Sequence, residues 1–254
     1  GAPVRIVRIA TGGDGVGALP DGRTVFVPRT AAGDLVTLHR VKLSKTFARA
    51  EVLDIVEPSP DRVEPACPHF GREQCGGCQL QHMAYPAQLA AKEAVVREQL
   101  RRIGRLDDSL VRPIVGAAEP WGYRNHLRFS TGKQFGDVGY ISRRGRGLLK
   151  VESCPIADPW VSDLLPKLQG LGAGLHQIQV RHSPATGTFL VTPAMPGAPV
   201  ETGQKSYVEE LAGKRFLVSA SAFFQVNGPQ AEEMVRLVGE ALPERGELLI
   251  DGFA

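Results

Sequence analysis

Cysteine is scarce in this chain: four residues among 254. A disulfide scaffold is thereby disfavoured, because such scaffolds are short, cysteine-dense and secreted. There is no apolar run of about 18 residues that could span a bilayer and no apolar signal segment. The expectation is a soluble, cytoplasmic protein with no membrane partner. Net charge is also small, formally +3. With 43% hydrophobic residues the chain can bury more than one core, so two or three units are expected.

The few cysteines that exist are not scattered. Cys67, Cys75 and Cys78 share one stretch, Cys-x7-Cys-x2-Cys with Gly76 and Gly77 in the tight turn, and Cys154-Pro-Ile follows after 75 intervening residues. Thiolates at such spacing can converge on one ion or cluster. An iron-sulfur cluster, a zinc ion and unrelated buried thiols all fit the spacing. Zinc has nitrogen candidates in His69 and His82, whereas Cys154 completes an all-sulfur set without either.

The small net charge conceals an asymmetry. Lys plus Arg against Asp plus Glu runs 8 to 3 over residues 1–50, 13 to 6 over 79–150, and 7 to 12 over 151–254. A basic amino-terminal half fits a polyanionic partner, or simply a solvated cationic surface. Residues 1–57 alternate in short apolar runs with turn signals between them, which predicts five strands of an OB-like barrel. Arg40, Lys42, Lys45 and Arg49 would form an external stripe able to track a phosphate backbone. Pro58, Pro60 and Pro65 mark a linker. An amphipathic helix is predicted over 86–103, with Leu89, Val96, Leu100 and Ile103 on one face and a stop at Gly104.

Strands return from Tyr123. Arg124, Arg128, Arg143, Arg144 and Arg146 lie on them or their connections beside Tyr123, Phe129 and Tyr140, a mixture that suits looped or single-stranded RNA. The aromatics are equally core residues, so the arginines carry that reading. Phe216-Leu-Val218 then leads to Ser221-Ala-Phe-Phe-Gln-Val-Asn-Gly228, a helix over 229–242 capped near Asn227, and an apolar strand beginning at Glu247 and running to Asp251-Gly-Phe-Ala254. A helix followed by an apolar strand ending in Asp-Gly-Phe is how a nucleotide-type α/β domain opens. Gln225 could be a turn-stabilising amide or a ligand contact.

Taken together, Cys67-Pro-His-Phe-Gly71, Cys75-Gly-Gly-Cys-Gln-Leu-Gln-His82, Arg102-Ile-Gly104, Tyr123-Arg-Asn125, Cys154-Pro-Ile156 and Phe223-Phe-Gln-Val-Asn227 resemble the RNA uridine-5-methyltransferases that carry a TRAM domain and a four-iron, four-sulfur cluster. The chain departs in the seven residues between its first two cysteines, a longer loop than the family's. The resemblance implies an α+β chain passing into α/β: a TRAM OB-like barrel (1–57) that binds RNA, a central iron-sulfur domain (58–215), and the start of a class I, Rossmann-like methyltransferase domain (216–254). It implies a 4Fe-4S cluster on Cys67, Cys75, Cys78 and Cys154, and S-adenosylmethionine contacted by Gln225 and Phe253. RNA would meet Arg40, Lys42, Arg124, Arg128 and Arg143. The implied activity is methylation of uridine carbon 5, in 23S rRNA rather than tRNA, by a monomer.

That chemistry needs a thiolate to add to carbon 6 of uracil. With every cysteine on the cluster, the nucleophile and base are expected beyond Ala254, and residues 1–254 alone should bind without catalysing. The competing class is a noncatalytic iron-sulfur or zinc RNA-binding module. Radical methylthiotransferases also pair a TRAM domain with iron-sulfur chemistry, but they need a Cys-x3-Cys-x2-Cys trio that this sequence lacks.

Overall fold

A computed structural model of the protein describes residues 2–71, 75–143, 145, 147–243 and 246. Two compact units emerge, one of residues 1–116 with 141–147, the other of 117–140 with 148–254. Among the described residues no helix is long and apolar enough to cross a membrane.

The first unit is built on β1 (Val4–Arg5), β2 (Arg8–Ile9), β3 (Gly15–Ala18), β4 (Thr24–Val27), β5 (Leu35–Leu43) and β6 (Phe47–Glu57). They form one sheet in the order β1-β5-β6-β4-β3-β2, antiparallel except for the parallel β4–β6 pair. Six strands thus stand where five were expected, because the opening alternation breaks into β1 and β2. Among the described residues no strand pairing joins β1 to β2, so the sheet does not close into a barrel there. Val4, Ile6, Val25, Val27, Val36, Ala48 and Ala50 fill its core, the inward half of each period-2 alternation. Gly15 is required by close approach: a β-carbon there would meet the Thr30 hydroxyl at 1.9 Å.

Beneath this sheet Asp34 is fully buried. Its carboxylate accepts Nε and Nη2 of Arg62, both at 2.9 Å, and the backbone N–H groups of Ser59 and Ala31. Burial works to raise this carboxyl, yet Arg62 and the two N–H groups hold it below its ordinary value. The network fastens the proline linker to the sheet just ahead of the cysteine stretch.

Helix α1 (Tyr85–Gln99) continues as a π-helical turn over Leu100–Gly104, and Arg105 then adopts a left-handed conformation at φ 52°. The predicted apolar face is partly wrong. Val96 and Ile103 are 49% and 75% exposed. Ala87 and Ala91 instead pack on Ile9, Ala31 and Met83, small residues that let the helix approach β2 closely. A cavity of about 470 Å³ remains there, with Lys92, Thr11 and Gln79 among its lining.

The second unit holds β7 (His126–Thr131), β8 (Val138–Ile141), β9 (Leu148–Lys150), β10 (Gln177–His182) and β11 (Phe189–Thr192), ordered β11-β10-β7-β8-β9. Helix α2 (Pro159–Leu164) is capped by Asp158, whose side chain accepts from the N–H groups of Trp160 and Val161. It packs Val161 and Leu164 against Leu127, Phe129, Val138, Ile178 and Val180 of the sheet. β12 (Ser206–Leu211) and β13 (Lys214–Ser219) make a separate hairpin. The expected start of a domain at Phe216 falls inside β13. Helix α3 (Gly228–Ala241) is capped by the Asn227 side chain. Of its residues only Ala231 is buried; Met234, Val235 and Val238 of the predicted apolar side are half exposed or more. Arg144, Arg146 and the strand expected from Glu247 lie outside the described residues.

Candidate functional site

The cysteine stretch folds without regular structure. All four cysteines are thiols. Cys67 opens a turn in which its carbonyl accepts the Phe70 N–H at 3.0 Å, and its own N–H is held by the buried Gln81 side chain. Cys75 pairs by an isolated antiparallel bridge with Ser142. Gly76 lies against Arg143, since a β-carbon on it would come within 3.7 Å of that residue's backbone. The Gly77 N–H donates to Cys75 Sγ at 3.4 Å. Amide-to-sulfur bonds of this kind support metal-bound thiolates. Burial pushes the Cys75 thiol up, the Gly77 N–H draws it back, and neighbouring Cys67 adds to the rise. Cysteine thiolates are donors suited to a soft metal or cluster. Among the described residues, however, no three His, Cys, Asp or Glu side chains gather as a group able to hold a metal ion. Cys154 is buried in the second unit, with its N–H directed at the Ser162 hydroxyl.

Of the zinc candidates, His82 is 2% exposed, stacked on Phe70 at 5.7 Å, and both ring nitrogens lack a hydrogen-bond partner. Burial lowers its pKa. His69 contributes its carbonyl to the Cys75 N–H.

A second site is built around residues 220–227. The stretch opens in a turn, in which the Ala222 N–H donates to the Ser219 carbonyl at 3.1 Å, and its burial alternates. Ala220, Ala222 and Phe224 pack on Leu190, Tyr207 and Val218, while Phe223 is 80% exposed and Gln225 is also exposed. Beyond Gln225, the Val226 carbonyl accepts the Asn125 N–H at 3.0 Å and Asn227 bridges Arg124. The two sequence motifs around Tyr123 and Phe223 are therefore hydrogen-bonded neighbours. Phe253, the other expected cofactor contact, lies outside the described residues.

Behind this platform sits a polar network that the sequence reading did not single out. Arg181 of β10 is 1% exposed. Its Nη2 donates to the carbonyls of Ala222 at 2.6 Å and Ala220 at 3.2 Å, and its guanidinium stands over the Tyr207 ring at 5.8 Å. Gln179 also donates to the Ala220 carbonyl, at 2.8 Å. Buried Glu209 accepts from Asn125, Tyr207 and Ser183. Burial and then Glu209 push the Tyr207 hydroxyl up to about 12. The available signal was a cation near the carboxyl end of the otherwise strand-like Gln177–His182.

The expected RNA contacts divide. Arg40, at φ 50° in the irregular part of the β5–β6 ladder, is exposed and faces Glu51 at 3.6 Å. Lys42, Arg128 and Arg143 are exposed. Arg124 is half-buried, and its Nε donates to the His126 carbonyl at 3.2 Å. His126 has a buried Nε2 without a partner, and its pKa falls to about 4 through burial, then Arg181, Arg128 and Arg124.

This histidine titrates near 6.5 when unfolded, so the unfolded chain binds the extra proton between pH 6.5 and about 4. Its stabilising effect is complete above the upper value and is lost on acidification across that window. Urea unfolding at pH 7 and pH 5 should show His126→Gln losing roughly 1–2 kcal/mol less than the parent, after allowance for partial solvent screening. Equal losses in the two proteins would refute this assignment.

Comparison with known proteins places this architecture. The fold is similar to the crystal structure of Pyrococcus abyssi tRNA (uracil-54, C5)-methyltransferase in complex with S-adenosyl-L-homocysteine, at a TM-score of 0.69 and 21% identity over 94% of this chain and 65% of that one. No family profile matches. An uncharacterized RNA methyltransferase of Thermosynechococcus vestitus is 31% identical over 302 aligned residues, covering 98% of this chain and 67% of the relative. One of Listeria monocytogenes is 30% identical, covering 99% and 67%. The chain belongs to this RNA methyltransferase family, and spans about two thirds of the length of these relatives.

Proposed function

We propose that the protein takes part in S-adenosylmethionine-dependent methylation of carbon 5 of a uridine in RNA, with 23S rRNA as substrate. The observation that carries this reading is the platform at 220–227, where Phe223 and Gln225 face outward from a segment buried on its other side. Gln225 contacts the cofactor there, and Phe253 lines the same pocket. Residues 1–57 act as a TRAM-type, OB-like RNA-binding element. Arg40, Lys42, Arg128 and Arg143 meet phosphates, while Arg124 acts mainly through its own chain. Cys67, Cys75, Cys78 and Cys154 hold a 4Fe-4S cluster. When bound, that group supplies a rigid cross-link that positions RNA.

Carbon 5 of uracil is a weak nucleophile. A thiolate adds to carbon 6, the resulting enolate takes the methyl group from sulfur, a base removes the carbon 5 proton, and the thiolate departs. The thiolate that adds to carbon 6 must be one that binds no cluster. The target base must leave its stack to be reached, which favours loops.

The deciding experiment incubates the intact protein with labelled S-adenosylmethionine and separate rRNA and tRNA transcripts, followed by nucleoside mass spectrometry. 5-Methyluridine in the rRNA is the expected product. Labelling of tRNA alone would favour the second reading, tRNA uridine methylation, whose support is the fold likeness to the Pyrococcus abyssi enzyme. No label in either would leave a noncatalytic RNA-binding module. Gln225→Ala should weaken S-adenosylhomocysteine binding about tenfold by calorimetry, the loss of one good hydrogen bond.

A further inference from the structure

We propose that Arg181 is a positioning residue for the cofactor, acting through the backbone of residues 220–224 and never touching the cofactor itself. The inference rests on the reading that Gln225 contacts S-adenosylmethionine. The segment bearing Phe223 and Gln225 has no regular secondary structure, so its side chains are aimed only as well as its backbone is fixed. It is fixed from two sides. The Asn125 N–H holds the Val226 carbonyl on the far side of Gln225. On the near side one guanidinium nitrogen holds the carbonyls of both Ala220 and Ala222, with Gln179 sharing the first.

Burying a cation beneath a cofactor platform is costly unless its hydrogen bonds matter. Leu or Val would fill this buried strand position without that cost. Arg181 is 1% exposed, so it does not serve as an RNA contact. Its Nη2 reaches two carbonyls at once while the guanidinium plane stands over Tyr207, whereas the shorter lysine ends in a point charge with no planar face and does not reproduce this set of contacts. Neighbouring Glu209 supplies a buried carboxylate within the same network, through Tyr207 and Asn125.

The test uses the intact protein with Arg181→Lys, Arg181→Met and Gln225→Ala. Arg181→Lys should weaken S-adenosylhomocysteine binding about tenfold by calorimetry, the scale of a lost charge-assisted hydrogen bond. Affinity for a uridine-bearing RNA hairpin, read by fluorescence anisotropy, should not change. Hydrogen exchange should accelerate at residues 220–226 and nowhere else. Arg181→Met should act in the same direction; should it not fold, the lysine variant carries the test. Normal cofactor affinity in Arg181→Lys beside weakened binding in Gln225→Ala would overturn the positioning role while leaving the functional reading intact. Normal affinity in Gln225→Ala would overturn that reading, and this inference with it. Equal loss of cofactor and RNA affinity with general acceleration of exchange would reduce Arg181 to a scaffold residue and also overturn it.

Discussion

Anaerobically purified Cys75→Ser protein is expected to carry less than half the iron and sulfide of its parent, which should hold about four of each per chain, and to lose the broad visible absorbance of a cluster. Cys75 is the informative position because its sulfur already accepts the Gly77 N–H. Serine keeps the size and the hydrogen bond but is a poor iron ligand. The matching control is His82→Asn. Its ring is buried with neither nitrogen partnered, so a zinc site using histidine would lose its metal in that variant and an all-sulfur site would not. Stoichiometric zinc in a colourless parent protein would overturn the cluster assignment. Since metal-binding energy is also folding energy, the serine variant should unfold at lower temperature.

The second large effect concerns stability. Arg62→Met should lower the unfolding free energy by about 3–5 kcal/mol, the range for breaking a buried ion pair from one side. Asp34 would stay buried with two backbone donors but no countercharge. The damage should be read by urea unfolding. Much of it should return in the double variant Arg62→Met, Asp34→Asn, where no ionised group is left behind. A loss below about 1 kcal/mol would mean that solvent reaches Asp34 and that the pair behaves as a surface one.

Local rules carried the sequence reading a long way in some places. The alternation of Thr24–Val27 and the apolar Leu35 to Leu43 run became β4 and β5, and the Asn227 cap marks the start of α3. These features depend on a few consecutive residues, so they survive folding unchanged. The face of α1 was misjudged because periodicity counts large apolar residues, whereas the docking surface is Ala87 and Ala91, chosen by how near β2 comes. Arg181 and Glu209 were overlooked for a related reason. Nothing adjacent in sequence tells a buried cation from a solvated one; the difference lies in Ala220, Ala222 and Tyr207, which only tertiary structure brings beside it. Arg124 reads as an exposed contact in sequence, yet its strand position directs it at the His126 carbonyl.

The division of the chain has a consequence for synthesis. Residues 141–147 complete the first unit although residues 117–140 of the second precede them. As the polypeptide leaves the ribosome, the loop bearing Cys75 must therefore wait for its bridge partner Ser142, and by then the first strands of the other unit have already emerged. The first unit is complete in sequence at residue 147, when most of the second is still to be made. Cys154 lies just past that point, so the last of the four thiols emerges only after the first unit's own three, and after all of that unit's sequence, have been made.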